Sequence, residues 1–190
     1  MSKEIELKAH VDDYKKVLNA LKSNQFTYNE KSSEKLDVYF FNPIKNLSFR
    51  VRQQVNIDSK GKIIKNTVYT TKDKIINEGI EQNIENEVEL PYGEFSSSLV
   101  FFNQLGFKES HRKKKKGFSF LFNKFENDLH IELLEVNNLG WFFEIEFIVD
   151  EDISEIESKK FVSELYKTLE LFNIPVSNIE KRYYSQMILE

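Results

Sequence analysis

The stretch EIELKA, Glu4 to Ala9, decides how this chain folds. Charged and apolar residues alternate through it without a break, with Glu4, Glu6 and Lys8 on one parity and Ile5, Leu7 and Ala9 on the other. Successive side chains of a strand point to opposite faces, so the stretch reads as a strand with one apolar face and one face of two carboxylates and an ammonium. The same pattern recurs along the chain. Ser48, Arg50 and Arg52 alternate with Leu47, Phe49 and Val51; Val68, Thr70 and Lys72 share a parity; Glu85, Glu87 and Glu89 alternate with Val88 and Leu90; Glu144 and Glu146 alternate with Phe143, Ile145 and Phe147.

The run Lys113 to Lys116 cannot point all one way. Phe118, Phe120 and Phe122 mark the apolar parity of that strand, which sends Lys114 and Lys116 outward and leaves Lys113 and Lys115 on the charged face with Gly117 and Ser119. A bulge at Gly117 would reverse the assignment, because glycine tolerates the backbone angles that a bulge needs.

Helical spacing interrupts the strands. Tyr14, Val17, Leu18 and Leu21 repeat at helical intervals after a capping Asp12 or Asp13, and the stretch GEFSSSLVFFNQLGF ends on Gly106. From about Ser154 to Phe172 a longer helix is expected to place Ile156, Phe161, Leu165, Leu169 and Phe172 on one side. KLDVYFF and LSFRVRQQV read as a hairpin joined through NPIKN, whereas the tail NIEKRYYSQMILE shows no decisive period. The fold class is therefore α+β, with eight or so mostly antiparallel strands in one domain over residues 1–190. A sheet of that size with helices on its apolar face is expected to close into a barrel, which removes exposed edges.

Composition narrows the chemistry. The chain has 40% hydrophobic and 31% charged residues, so it can build a packed core. It has no cysteine, which excludes disulfides, thiolate metal sites and a thiol nucleophile. A net charge of −4 gives no general pull toward nucleic acid or anionic lipid, and the phenylalanines after HRKKKK read as core. No apolar run nears the roughly 20 residues needed to span a bilayer, and the first residues lack a signal-peptide pattern, so a cytoplasmic protein is expected. His10, His111 and His130 make no metal spacing, and there is no glycine-rich phosphate loop.

Glutamate pairs and arginine or lysine pairs occupy separate strands. Rolled into a barrel, they give a lumen whose carboxylates need a cation and whose cations need a polyanion. A divalent metal with a triphosphate satisfies both, and hard oxygen ligands favour Mg²⁺ or Mn²⁺. The arginines offer forked donors to phosphate oxygens.

The sequence resembles the CYTH family, the triphosphate tunnel metalloenzymes. EIELK resembles its N-terminal E-x-E-x-K signature, LDVYFF its D-x-Y-F strand, FRVRQ its L-R-x-R strand, TTKD its single-lysine strand, NEVEL its central E-x-E and LGWFFEIEF its L-G-x-F-x-E-I-E segment. The last of these, with the ending KRYYSQM, is most similar to the branch named class IV adenylate cyclase. The resemblance implies an eight-stranded tunnel acting on ATP or tripolyphosphate, with Glu4, Glu6 and Lys8 catalytic. It also implies metal ligands among Glu4, Glu6, Glu87, Glu89, Glu144 and Glu146, and phosphate contacts from Lys8, Arg50, Arg52, Lys72, Lys113 and Lys115. A cyclase converting ATP to cyclic AMP and pyrophosphate is the first expectation, an inorganic or organic triphosphatase the second, and a non-catalytic polyphosphate-binding module the third; a homodimer is compatible with each. Two positions depart from the branch: Leu134 stands where an aspartate is usual, with Glu132 on the same face, and the arginine usual before the central E-x-E is missing.

Overall fold

The computed structural model describes residues 2–44, 46–77, 80–91 and 93–189. Eight strands close into a barrel: β1 (Ser2–Val11), β2 (Thr27–Asn42), β3 (Leu47–Asp58), β4 (Ile63–Asn77), β5 (Ile80–Pro91), β6 (Lys108–Phe122), β7 (Leu129–Val136) and β8 (Gly140–Asp150). They lie in the order β1-β5-β4-β3-β2-β6-β7-β8, each pair antiparallel. The expected closed α+β barrel is what forms. The hairpin β2–β3 turns through 43–46, of which residue 45 lies outside the described residues. No helix among the described residues is long and apolar enough to cross a membrane.

Parity decides what lies outside the barrel and what lies within. Ile5, Leu7 and Ala9 of β1 join Phe120, Phe122, Ile131, Leu133, Phe143, Ile145 and Phe147 in an outer apolar layer. Two helices cover it: α1 (Tyr14–Ser23), through Val17 and Leu21, and α3 (Glu155–Leu171), through Phe161, Leu165 and Leu169. Asp13 caps α1 by accepting from the Lys16 N–H. Ser154 and Glu157 form a reciprocal capping box at the start of α3, a device worth about 1 kcal/mol. Trp141 serves as packing, stacked on Tyr14 at 3.9 Å. A second cluster, Val38, Phe40, Val51 and Phe95, lies under α2 (Phe95–Gln104).

One helical expectation is corrected. Ile156 is 83% exposed, because the buried stripe of α3 runs through Ser158, Phe161, Leu165, Thr168 and Leu169, and a residue two positions before Ser158 points away from it.

Gly117 marks a close approach. A Cβ there would meet the Leu133 carbonyl oxygen at 2.1 Å. The β6–β7 register runs unbroken from Lys115↔Val136 to Phe122↔Leu129, so the glycine lets two strands close up without a bulge. Lys113 and Lys115 accordingly turn inward, 5% exposed each, while the side chain of Lys116 is 65% exposed.

The unassigned tail makes a single 3₁₀ turn, Val176–Asn178, and a short helix α4 (Tyr184–Leu189). It is tied to the end of β1. The Glu180 N–H donates to the Lys8 carbonyl at 3.0 Å, and the Asn178 amide donates to that of His10 at 3.1 Å. Tyr184 and Met187 then pack on Val136 and Phe142.

Candidate functional site

The barrel encloses a cavity of about 830 Å³. Its wall is built from the charged parities: Glu4 and Glu6 on β1, Arg50 and Arg52 on β3, Thr70 and Lys72 on β4, Glu85 and Glu87 on β5, Lys113 and Lys115 on β6, and Glu144 and Glu146 on β8.

Three carboxylates stand apart from the rest. Oxygens of Glu4, Glu6 and Glu146 lie within 4.8 Å of one another. Register explains why: Glu6 pairs with Glu146 across β1–β8, and Glu4 is the next residue of that parity. Burial pushes the Glu4 carboxyl up to about 7; Lys72 opposes the rise, and the charges of Glu85 and Glu6 add to it. Burial also pushes Glu146 well above the carboxylate range, with Glu4 and Glu6 reinforcing it. Like charges this close favour a proton or a metal cation among them. Three hard oxygen donors open to a cavity fit a divalent ion such as Mg²⁺ or Mn²⁺.

The cations are distributed around the wall. Lys72 donates to Glu4 at 3.0 Å, pairs with Glu85 and stands 3.8 Å from Glu6. Burial alone would raise Glu85, but Lys72 and Arg50 outweigh it and hold the carboxyl at about 2. Arg50 donates through Nη2 to Thr70 at 2.8 Å and to Glu87 at 3.1 Å, while its buried Nε has no acceptor among the described residues. Arg52 forks onto Asp37 at 2.6 and 3.1 Å, and Lys113 reaches the same carboxylate at 3.2 Å. Burial pushes the Lys113 ammonium down to about 7, helped by the charge of Lys115 and only partly opposed by Asp37.

Glu144 takes a different role from its neighbour Glu146. Lys115 donates to both its oxygens, at 2.8 and 2.5 Å, and the Tyr184 hydroxyl donates to Oε1 at 2.5 Å. Burial would raise this carboxyl, but Lys115 and these bonds hold it at about 2. The tail thus delivers Tyr184 into the barrel, with its ring 4.7 Å from the Lys115 ammonium and 5.0 Å from that of Lys113.

The sequence-derived residues do not all converge. Lys8 is 1% exposed and bound to Glu81 beside Tyr184, away from the cavity surface. Glu87 lies at the Arg50 end, and Glu89 farther along β5 accepts from Asn66, so neither joins the carboxylate cluster. Glu144 is held by Lys115 instead. Sequence reasoning missed Lys35 paired with Glu132, Asp37, Glu81 and Tyr184. The alternation Lys31, Ser33, Lys35, Asp37, Tyr39 could have found the β2 residues. His130 also reaches the lumen, its Nδ1 3.6 Å from Glu146, which its position in sequence did not foretell.

No family model matches the sequence. A curated protein of Methanocaldococcus jannaschii named "Putative adenylate cyclase" is 29% identical over 186 residues, 97% of each chain. Among solved structures, one named as a "putative adenylate cyclase" from Vibrio parahaemolyticus superposes with a TM-score of 0.68 at 18% identity, over 98% of both chains. Another, from Hippeastrum, is described as a "putative adenylyl cyclase" with a dominant triphosphatase activity; it has a TM-score of 0.57 at 16% identity and covers 100% of this chain and 94% of that one. These likenesses span nearly the whole chain; the solved structures share its barrel fold, and the curated relative's name accords with the resemblance read from the strands.

Proposed function

We propose that this CYTH-type chain is a metal-dependent enzyme acting on a triphosphate inside its barrel, with ATP cyclisation to cyclic AMP and pyrophosphate as the first reading. The observation that carries it is the pairing, within one cavity, of a three-carboxylate cluster with a wall of lysines and arginines that includes the buried Arg50 Nε, a donor left without an acceptor among the described residues. A cytoplasmic setting accords with such a substrate.

Glu4, Glu6 and Glu146 would hold Mg²⁺ or Mn²⁺, which when bound neutralises phosphate charge and lowers the pKa of an attacking hydroxyl or water. Arg50, Arg52, Lys72, Lys113 and Lys115 would bind and align the phosphate chain, and phosphoryl chemistry asks little more of a protein than such positioning. Lys8, on the inward face of β1, would hold the cavity-lining Glu81 in place. The burial of these side chains in the lumen wall strengthens each charge-assisted contact.

Triphosphate hydrolysis is the second reading, favoured by Leu134. It is fully buried where the resembling cyclases carry an aspartate, so that position has no carboxylate to offer. Incubation with ATP and with tripolyphosphate, each with Mg²⁺ and with Mn²⁺, followed by separate assays for cyclic AMP and phosphate, separates the readings. Cyclic AMP supports the first and phosphate alone the second, whereas binding without either product leaves a non-catalytic module.

Two predictions belong to the phosphate wall. Lys115→Ala is expected to weaken tripolyphosphate binding about tenfold or more, the loss of one charge-assisted contact. Lys116→Ala, which removes only a surface pair with Glu34, should change stability by about 0.5 kcal/mol or less and leave the titration unaltered. The opposite ranking would mean the strand reads one residue out of phase.

The second prediction concerns pH. The Lys113 proton is half lost near pH 7 in the free protein, and a polyanion beside it raises that pKa. Binding above pH 7 therefore takes up a proton, so affinity for tripolyphosphate falls as pH rises from 7 to 9, by up to about tenfold per unit. Calorimetric titrations across that range should show the slope, and Lys113→Met should lose it. An unchanged slope in Lys113→Met would assign the proton uptake to a different group of the protein.

A further inference from the structure

Arg50, Arg52, Lys72, Lys113 and Lys115 each have a carboxylate partner, but the partners are not held alike. Asp37, which takes Arg52 and Lys113, is fully buried, and the side chains of Glu144 on Lys115 and Glu85 on Lys72 are 9% and 7% exposed. Glu87, which takes Arg50, lines the same cavity with its side chain 46% exposed. A buried partner cannot leave without stranding a charge in the wall, whereas a half-exposed carboxylate can turn into water at little cost.

The contact that Glu87 makes falls on the part of Arg50 that a phosphate needs. Register sets Arg50, Thr70 and Glu87 side by side across β3, β4 and β5. The Thr70 hydroxyl accepts from Arg50 Nη2 at 2.8 Å and donates to Glu87 at 2.7 Å, and Nη2 also donates directly to Glu87 at 3.1 Å. A guanidinium grips an oxyanion in a fork through the edge formed by Nε and Nη2, as Arg52 grips Asp37. On Arg50 the Nε of that edge has no acceptor among the described residues, and the Nη2 is taken by Glu87. Phosphate and carboxylate oxygens are both anionic and both only accept, so they cannot share the edge without repulsion. Glu85, 3.9 Å from the same nitrogen, stays behind with Lys72 when Glu87 moves.

We propose that Glu87 is a displaceable gate on Arg50: it holds the guanidinium edge in the free protein, yields it to an entering phosphate chain, and favours the metal-complexed chain over the free one. The preference follows from charge. A free polyphosphate meets the carboxylate with its full negative charge, and a Mg²⁺ complex meets it with less. The inference rests on the triphosphate reading above and deepens it, moving Glu87 from the metal ligands expected from the sequence to the control of which form of the substrate enters.

The test titrates the bis-methylene analogue of tripolyphosphate, which cannot turn over, into the protein with a chelator and with Mg²⁺. Glu87→Gln keeps the shape and removes the charge. It should bind the free analogue about fivefold more tightly than the wild type, the upper worth of an exposed ion pair, with a smaller gain in Mg²⁺. Glu89→Gln removes the same charge two residues farther along that face of β5, where the partner is the neutral Asn66, and should leave both affinities unaltered. An unchanged affinity in Glu87→Gln, or an equal gain in Glu89→Gln, would overturn the gate while leaving the triphosphate reading intact. Weaker binding by Glu87→Gln in Mg²⁺ would overturn it in favour of a metal ligand, and an equal gain with and without Mg²⁺ would overturn the preference for the complexed chain. A wild type that binds the analogue under neither condition would overturn the triphosphate reading itself, and the gate with it.

Discussion

Glu6→Gln is expected to cut metal-dependent turnover by on the order of a hundredfold or more while leaving the metal-free protein folded and at least as heat-stable as the wild type. The two effects have one cause. Glu6 shares a site with Glu4 and Glu146, whose carboxyls are both raised by burial and by the charge of Glu6. Glutamine keeps the shape and removes one negative charge, so the repulsion falls in the absence of metal and a ligand is lost in its presence. Steady-state kinetics with Mg²⁺ or Mn²⁺ and melting curves with and without metal measure both sides. A variant with wild-type turnover, or one that unfolds without metal, would remove Glu6 from the proposed ligand set.

Asp37→Ala is expected to destabilise the protein by about 3–5 kcal/mol, the cost of leaving buried cations without their counter-charge. Asp37 is fully buried between Arg52 and Lys113. Burial works to raise its carboxyl, but Arg52, Lys113 and Arg50 outweigh that and hold it well below the usual range. The sign follows from the depressed pKa: the stabilisation is complete above the unfolded-state value of about 3.9 and is lost as pH falls through the lower folded value. Denaturant unfolding at pH 7 measures the cost. Tripolyphosphate should raise the melting temperature of Asp37→Ala more than that of the wild type, because the polyanion replaces the missing charge. Equal shifts in the two proteins would indicate that the phosphate chain does not reach Arg52 and Lys113.

Much of this arrangement was legible in the strand parity alone. Alternation placed Ile5 and Leu7 under the helices and Glu4 and Glu6 in the lumen, and it sorted Lys113 and Lys115 from Lys114 and Lys116 without any knowledge of neighbours. Partnership was not legible in the same way. Which carboxylate faces which ammonium depends on the stagger of eight strands around the closure, so Glu144 and Glu146, two residues apart on one face, end beside Lys115 and beside Glu6 respectively. Spacing likewise suggested Lys8 as a cavity residue, yet Glu81, delivered by β5, takes up its charge. The tail defeated periodicity because α4 has only six residues. Its role rests on one hydroxyl, that of Tyr184 on Glu144, and on contacts to β1 made about 170 residues earlier in the chain.

The central claim, that this lumen is a metal-assisted triphosphate site, is tested most directly by titrating tripolyphosphate into the protein with and without Mg²⁺ in a calorimeter. The account predicts one molecule bound per chain, more tightly with Mg²⁺ in the wild type, and a loss of that Mg²⁺ dependence in Glu6→Gln. The absence of saturable binding under either condition, or an equal affinity with and without Mg²⁺ in the wild type, would contradict it.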